Sequence, residues 1–244
     1  MKQLPYSELL KLKRWNTPTI YNGWEMITKH DRTRGNFNLD PVTDYMPQMG
    51  VMVGYAVTVV CEPSNPAHKA NKQANDEYMR YLASIPGPKI AVVQDLDKPV
   101  VGSFWGEINA NMHKGLGCIG TITDGAIRDS DEMANAGFKA IARRMCVGHA
   151  YSTPVRWGCD VEVFGCTVKP GQLIHADKHG FMLIDEEDYD ALYDAVCFMD
   201  ANECNHMLQF MRNANGLSKE EFVEGFARER DKFEAAWREK FGRK

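Results

Sequence analysis

The chain has 244 residues, 44% hydrophobic and 25% charged, with a formal net charge of −4. That length supports one large domain, or one domain with an extension, and the mild acidity leaves no electrostatic footprint for nucleic acid. No apolar run approaches the roughly 18 residues of a membrane span, and the opening MKQLPYSELLKLKRW lacks the apolar core of a secretory signal, so a cytoplasmic protein that binds neither nucleic acid nor membrane is expected.

Helical spacing of Leu9, Leu10, Leu12 and Trp15 marks a first helix, interrupted at Thr17-Pro18. The polar stretch from Asp31 to Gln48 reads as loop. The β-branched run VMVGYAVTVVC, Val51 to Cys61, reads as a buried strand. A helix from Asn71 to Ser84 and a short strand from Lys89 to Gln94 follow. Pro99 to Gly106 reads as a turn, Ile108 to Leu116 as a helix, and Cys118 to Thr123 as another buried strand. Asp124-Gly125 is a turn signal. Ser130 is placed to cap a short helix from Asp131 to Ala136, and Lys139 to Arg143 reads as a strand.

From Val155 the pattern turns β-rich, with short strands at 161–164, 167–168, 173–176 and 181–184 punctuated by Pro170-Gly171 and His179-Gly180. Past Asp185 the composition changes again. Glu186 to Asn213 reads as one helix, or as two broken near Asn202. Ser218-x-x-Glu221 is a capping box that opens a last helix to about Phe241. The chain therefore divides into a domain at 1–185 and a helical extension at 186–244.

The seven cysteines, at 61, 118, 146, 159, 166, 197 and 204, are odd in number and show no C-x-x-C spacing. A disulfide framework or zinc site is not expected. Most read as small core residues, as a reducing compartment allows.

The richest chemistry lies in WGEINANMHKGLGCIGTITDGAIRDSDEM, Trp105 to Met133. Glu107 opens a helix, and Arg128 and Asp129 stand in tandem after a strand. Arginine offers a planar fork for a carboxylate, and aspartate is an oxygen ligand for Mg²⁺ or a similar hard cation. Taken alone, the pair reads more simply as a solvated turn, and Glu107 as a first-turn acid that favours the helix dipole. The amides of Ile108 and Asn109 suit an anionic carboxylate, and Gly106 permits close backbone approach. His175, Asp177 and His179 form a weaker metal candidate and read primarily as strand and hairpin residues. His149 and Tyr151 sit in a loop within reach of a ligand. Lys139 reads as a solvated lysine. There is no P-loop, nucleophile elbow or G-x-G-x-x-G.

Gly106-Glu107, Gly117-Cys118-Ile119-Gly120 and Thr123 to Asp129 together resemble the regulator of ribonuclease activity A family. That family includes the class II 4-hydroxy-4-methyl-2-oxoglutarate/4-carboxy-4-hydroxy-2-oxoadipate aldolases, many mislabelled as demethylmenaquinone methyltransferases. The later VEVFGCTVKPGQLIHADKHGFMLI resembles the family's V-x-P-G-D-L-x-x-A-D-x-x-G signature, with Gln172 in place of the usual Asp, and GYAVTV at Gly54 to Val59 matches the early strand.

The resemblance implies a compact α/β/β sandwich similar to swivelling phosphohistidine domains, with a C-terminal helical extension. It also implies a homotrimer or homohexamer with intersubunit active sites. It assigns Arg128 to the substrate and Asp129 to a divalent metal, Mg²⁺ or Mn²⁺. The aldolase branch carries Asp-x20-Arg-Asp; here Glu107 holds the first position. A neighbouring subunit's carboxylate completes some family sites, with Glu186 and Glu187 as candidates here. The expected function is a metal-dependent lyase on small 2-oxo acids. It would release pyruvate by retro-aldol cleavage of a 4-hydroxy-2-oxo acid, or decarboxylate oxaloacetate. The alternatives are a non-catalytic regulator of a ribonuclease or helicase, and an enzyme on a sugar-acid-like substrate.

Overall fold

In the computed structural model, which describes residues 2–69 and 71–242, apolar runs become strands and apolar stripes become helices. Among the described residues the order is α1 (Tyr6–Leu12), α2 (Thr17–Ile27), β1 (Thr43–Asp44), β2 (Met52–Cys61), α3 (Lys72–Ser84), β3 (Lys89–Asp95), β4 (Ser103–Trp105), α4 (Glu107–Gly115), β5 (Cys118–Ile127), α5 (Ser130–Asn135) and β6 (Lys139–Met145). There follow β7 (Pro154–Trp157), β8 (Val161–Val163), β9 (Cys166–Val168), β10 (Leu173–Asp177), β11 (Gly180–Ile184), α6 (Tyr189–Glu203), α7 (Gln209–Arg212) and α8 (Lys219–Phe241).

The nine-stranded sheet runs β1-β6-β5-β3-β2-β10-β11, with β4 on β5 and β7 on β2. Its centre is parallel: β2 pairs with β3, β3 with β5, and β5 with β6. Parallel strands need crossovers, and α3, α4 and α5 supply them. All ten residues of β2 are buried, as a strand covered on both faces requires. Val57, Val59 and Val93 face Tyr78 and Leu82 of α3, Ala110 of α4 and Met133 of α5. Ala56, Val60, Val92 and Ile141 face the opposite way, onto Val161, Val163 and Val168 of the β8–β9 hairpin. The layering is therefore helices, sheet, hairpin: the expected α/β/β arrangement, followed by a helical C-terminal region.

Two compact units are distinguished: Met1–Thr17 with His30–Glu186, and Pro18–Lys29 with Glu187–Lys244. Within the second, Gly23 meets Val196 so closely that a Cβ would lie 2.5 Å from Cγ2, which lets the two helices touch through backbone. Tyr189, Leu192, Val196 and Met199 of α6 are buried. The Ser218–Glu221 capping box opens α8 as expected, with both reciprocal bonds made.

Several expectations are corrected. Thr17-Pro18 does not end a helix but begins α2, because proline is tolerated in a first turn where its missing N–H has no partner to lose. The polar 31–48 stretch contains β1, whose Asp44 meets the Lys139 ammonium at 2.5 Å, so Lys139 is a buried ion-pair partner rather than a solvated lysine. The Pro99–Gly106 turn includes β4. Asp124-Gly125 lies inside β5 as a bulge rather than a turn. There Asp124 Oδ1 accepts the Asp95 amide at 2.8 Å, and the Thr123 hydroxyl accepts the Gly125 amide at 3.0 Å, so side chains meet the backbone's demands without reversing the chain. Ser130 is the first residue of α5, and Asp129 occupies the cap position in the left-handed region, φ 53°. Of the two readings of 186–213 the single helix holds: α6 passes into α7 without a break near Asn202, through a π-helical turn, Cys204–Leu208. Three of the seven free cysteines, Cys61, Cys118 and Cys166, are buried.

Candidate active site

Strand pairing brings the two halves of the Gly-acid…Arg-Asp motif together. Trp105 of β4 pairs with Ile127 of β5 in parallel, so Gly106-Glu107 and Arg128-Asp129 leave adjacent strands at the same end. The intervening residues are the helix and strand needed to return to that edge. Carboxyl ends of parallel strands are where α/β sheets place ligands.

A cleft of about 460 Å³ opens there, lined by Gly106, Glu107, Ile108, Asn109, Arg128 and Asp129, with Ser103 to Trp105, His149 and Ser152 completing it. All six predicted site residues are thus in one place. The Asp129 Oδ2 accepts the Glu107 amide at 3.2 Å and lies 3.6 Å from Arg128 Nε. Arg128 and Asp129 are each about one-third exposed, so both can meet a ligand from the cleft. Gly106 is needed for space: a Cβ there would lie 2.7 Å from Asp129 Oδ2 and 3.2 Å from Arg128 Nε. The Ile108 and Asn109 amides at the start of α4 have no backbone acceptor four residues back. The Asn109 side chain turns inward, donating to Phe104 O at 2.6 Å.

Sequence reasoning missed Ser103. Its hydroxyl bonds Trp105 O and Ala126 O and accepts the Trp105 amide at 3.0 Å, fastening β4 to β5 beneath the cleft. A lone serine in an apparent turn carries no signal of this. It also missed the support of α4: His113 Nδ1 donates to Asn109 O at 2.7 Å, leaving Nε2 to accept the Tyr78 hydroxyl at 2.9 Å. Burial pushes the His113 imidazole down to about 4.

The other candidates disperse. His149 lines the cleft, whereas Tyr151 is not among its lining residues. His175 is buried in β10, where its Nδ1 accepts from the Thr17 hydroxyl and Nε2 donates to Leu12 O, a structural role. Burial raises the Asp177 carboxyl, but the Thr17 and His179 amides outweigh it and hold it below its usual value. Gln172, in the family's Asp position, accepts the Lys169 amide at 2.8 Å and donates to Asp185 at 3.3 Å, closing the turn. Glu186 does not line the cleft of its own chain.

Among the described residues no cluster of three His, Cys, Asp or Glu side chains is arranged around one metal. The donor chemistry of the cleft still fits Mg²⁺ or Mn²⁺. Such ions are bound through one or two carboxylates, the remaining positions going to water and substrate oxygens, and Asp129 offers one carboxylate in an accessible cleft beside Glu107.

The chain belongs to the RraA-like family (aldolase/RraA), whose model matches residues 17–183. It is similar to protein DlpA of Legionella pneumophila, with 24% identity over 106 residues, 43% of this chain. The match spans 17% of DlpA's length. Among solved structures it resembles one described as novel cellulases from microbes associated with the gut ecosystem, with a TM-score of 0.70, 17% identity, and 84% of this chain and 90% of the other covered. It also resembles RraAS2 of Streptomyces coelicolor, described as an unusual member of the RNase ES inhibitor RraA protein family, with a TM-score of 0.65, 18% identity, and 87% and 99% covered. At these identities the likeness establishes the fold. No helix among the described residues is long and apolar enough to cross a membrane.

Proposed function

We propose that the cleft is the active site of a divalent-metal-dependent carbon–carbon lyase acting on small 2-oxo acids. The observation that carries this reading is the meeting of Glu107, Arg128 and Asp129 in one accessible cleft, tied by the 3.2 Å bond from the Glu107 amide to Asp129. Asp129 would hold Mg²⁺ or Mn²⁺, which when bound supplies Lewis-acid polarisation of the substrate's oxo-acid oxygens. Arg128 offers its fork to those oxygens and stabilises the negative charge that develops on the C2 oxygen. The start of α4 receives the carboxylate, through its amide donors and its dipole.

In retro-aldol cleavage Glu107, directly or through a water, takes the C4 hydroxyl proton. The C3–C4 bond breaks, its electrons pass into the C2–C3 enolate, and the carbonyl fragment departs. Protonation at C3 then gives pyruvate. Oxaloacetate would lose CO₂ to the same enolate without a base. Ile108 and Val147, 85% and 93% exposed, present apolar side chains that suit burial against another copy, in keeping with a homotrimer or homohexamer.

The test is pyruvate release from oxaloacetate and from 4-hydroxy-2-oxo acids, with and without EDTA. Metal-dependent release supports the lyase. The same bond to Asp129 also caps α4, which a regulator of a ribonuclease would need equally. Absence of turnover on both substrate types, with the metal supplied, would therefore favour the regulator.

A further inference from the structure

A second crevice, of about 290 Å³, is lined among others by Asp95, the last residue of β3, Asp124 at the β5 bulge and Arg143 of β6. Two opposite charges line it without pairing with each other. Arg143 is held from two sides: Nε donates to Asp124 O at 2.9 Å, and the guanidinium lies 5.2 Å over the Phe164 ring. Its closest carboxylate, on Asp40, is 3.8 Å from Nη2, beyond hydrogen-bond reach, so the terminal nitrogens remain available. Asp95 is only 2% exposed. Its Oδ1 accepts the Asp97 amide at 2.8 Å, whereas Oδ2 has no hydrogen-bond partner among the described residues. Asp124 relieves neither charge, because its own carboxylate accepts from the Asp95 amide and the Lys98 ammonium.

A buried carboxylate that no cation touches directly is costly, and the nearby Lys98 ammonium is bonded to Asp95 O at 3.0 Å and to Asp124 Oδ2 at 3.1 Å rather than to the Asp95 carboxylate. Burial, with the neighbouring Asp97 and Asp124 charges, pushes Asp95 up to about 6, against the pull of the Asp97 amide and the Lys98 ammonium. Gly125 leaves little room to fill this corner from within the chain, since a Cβ there would lie 2.7 Å from Asp95 Oδ2. A multiply charged anion is disfavoured by the acids in the lining, Asp40, Asp95, Asp124 and Glu162, and a bare divalent cation by the two bases beside them, Lys98 and Arg143. A ligand that carries both charges answers both groups.

We propose that this crevice binds a small zwitterion of the amino-acid class, its ammonium on Asp95 Oδ2 and its carboxylate on Arg143. The ligand differs from a 2-oxo acid in requiring a positive charge, so the inference stands apart from the lyase reading.

Calorimetric titration of the full chain with glycine, β-alanine, 4-aminobutyrate and 5-aminopentanoate, beside ethylamine and acetate as one-charge controls, tests it. One chain length should bind at least about tenfold more tightly than either control, as charge-assisted bonds at both ends require. Arg143→Gln and Asp95→Asn should each remove that advantage, and Arg128→Ala should leave it intact. Arg143 lies at the rim, so its variant decides the matter if Asp95→Asn fails to fold. No advantage for any member of the series, its survival in Arg143→Gln, or its loss in Arg128→Ala would overturn the proposal.

Discussion

The carboxylate of Asp129 accepts a hydrogen bond from the backbone amide of Glu107, 22 positions away in sequence, at 3.2 Å. One oxygen thus joins the start of α4 to the end of β5. The bond satisfies an amide that the first turn of a helix leaves without an intrahelical partner. It also fixes the acid proposed as metal ligand relative to the acid proposed as base, so geometry at one end of the motif depends on residues at the other.

Gly106→Ala should reveal that dependence. Gly106 is extended, at φ −173°, so alanine meets no backbone strain. Its methyl group would instead press on Asp129 Oδ2. Mg²⁺ affinity and lyase activity should both fall about tenfold or more, with a stability cost of less than about 1 kcal/mol. Calorimetry with Mg²⁺ and a urea melt read the two effects. Unchanged metal affinity would place the metal away from Asp129.

Asp129→Asn separates the cap from the charge. Asparagine keeps an oxygen for the Glu107 amide but offers no anionic ligand. The variant should melt close to wild type and lose metal dependence together with activity, whereas Asp129→Ala should also lose about 1 kcal/mol of stability. An asparagine variant with wild-type metal affinity would reduce Asp129 to a helix cap.

Glu107→Gln should distinguish the two reactions. General-base assistance is worth roughly 10²–10⁴ in rate, so retro-aldol cleavage should drop by that order while oxaloacetate decarboxylation changes little. Glu107→Asp restores the family residue and should retain aldolase activity. Parallel rate measurements on both substrates decide it; equal losses would assign Glu107 to placing the metal instead.

Acid should destabilise the fold before the ordinary, solvent-exposed carboxylates titrate. Burial pushes His113 and His175 each down to about 4. Between that value and the ordinary 6.5 the unfolded chain binds more protons, so stability falls as pH drops through this window. Asp95 opposes this: burial raises it to about 6, so its folded form gains the proton first, and its share of stability grows as pH falls. Two histidines against one acid leave a net loss on the order of 3 kcal/mol between about pH 7 and pH 4.5. Urea midpoints across that range check the slope, and a flat profile would contradict the buried neutral histidines.

The motif was legible in the sequence because an acid at a helix start and an Arg-Asp pair after a strand carry suitable chemistry, and because their spacing resembles the aldolase branch's Asp-x20-Arg-Asp. Gly106-Glu107 and Arg128-Asp129 are separated by one helix and one strand, and the β4–β5 pairing returns them to the same edge. The strands and helices were legible from the buried runs and from the β-rich stretch after Val155, whereas the α/β/β order came from the family resemblance. Long-range polar pairs were not. Nothing local to Lys139 announces Asp44, 95 positions earlier, as its buried partner. Asp124-Gly125 has the composition of a turn and becomes a bulge because the Asp95 amide and the Lys98 ammonium meet it from elsewhere in the chain. Pro18 looked like a helix breaker because its position relative to the helix start depends on Thr17, whose amide is held by Asp177 at 2.9 Å.

The most direct test of the active-site assignment is kcat/KM for pyruvate release from oxaloacetate with Mg²⁺ present, for wild type beside Arg128→Ala. Arg128 is about one-third exposed and forms an ion pair with its own neighbour, Asp129, so its loss should leave the fold intact. The account predicts a wild-type activity abolished by EDTA and a fall of about 10²–10³ in the variant, the usual cost of removing an electrostatic stabiliser of a developing oxyanion. Equal rates for the two proteins would contradict it.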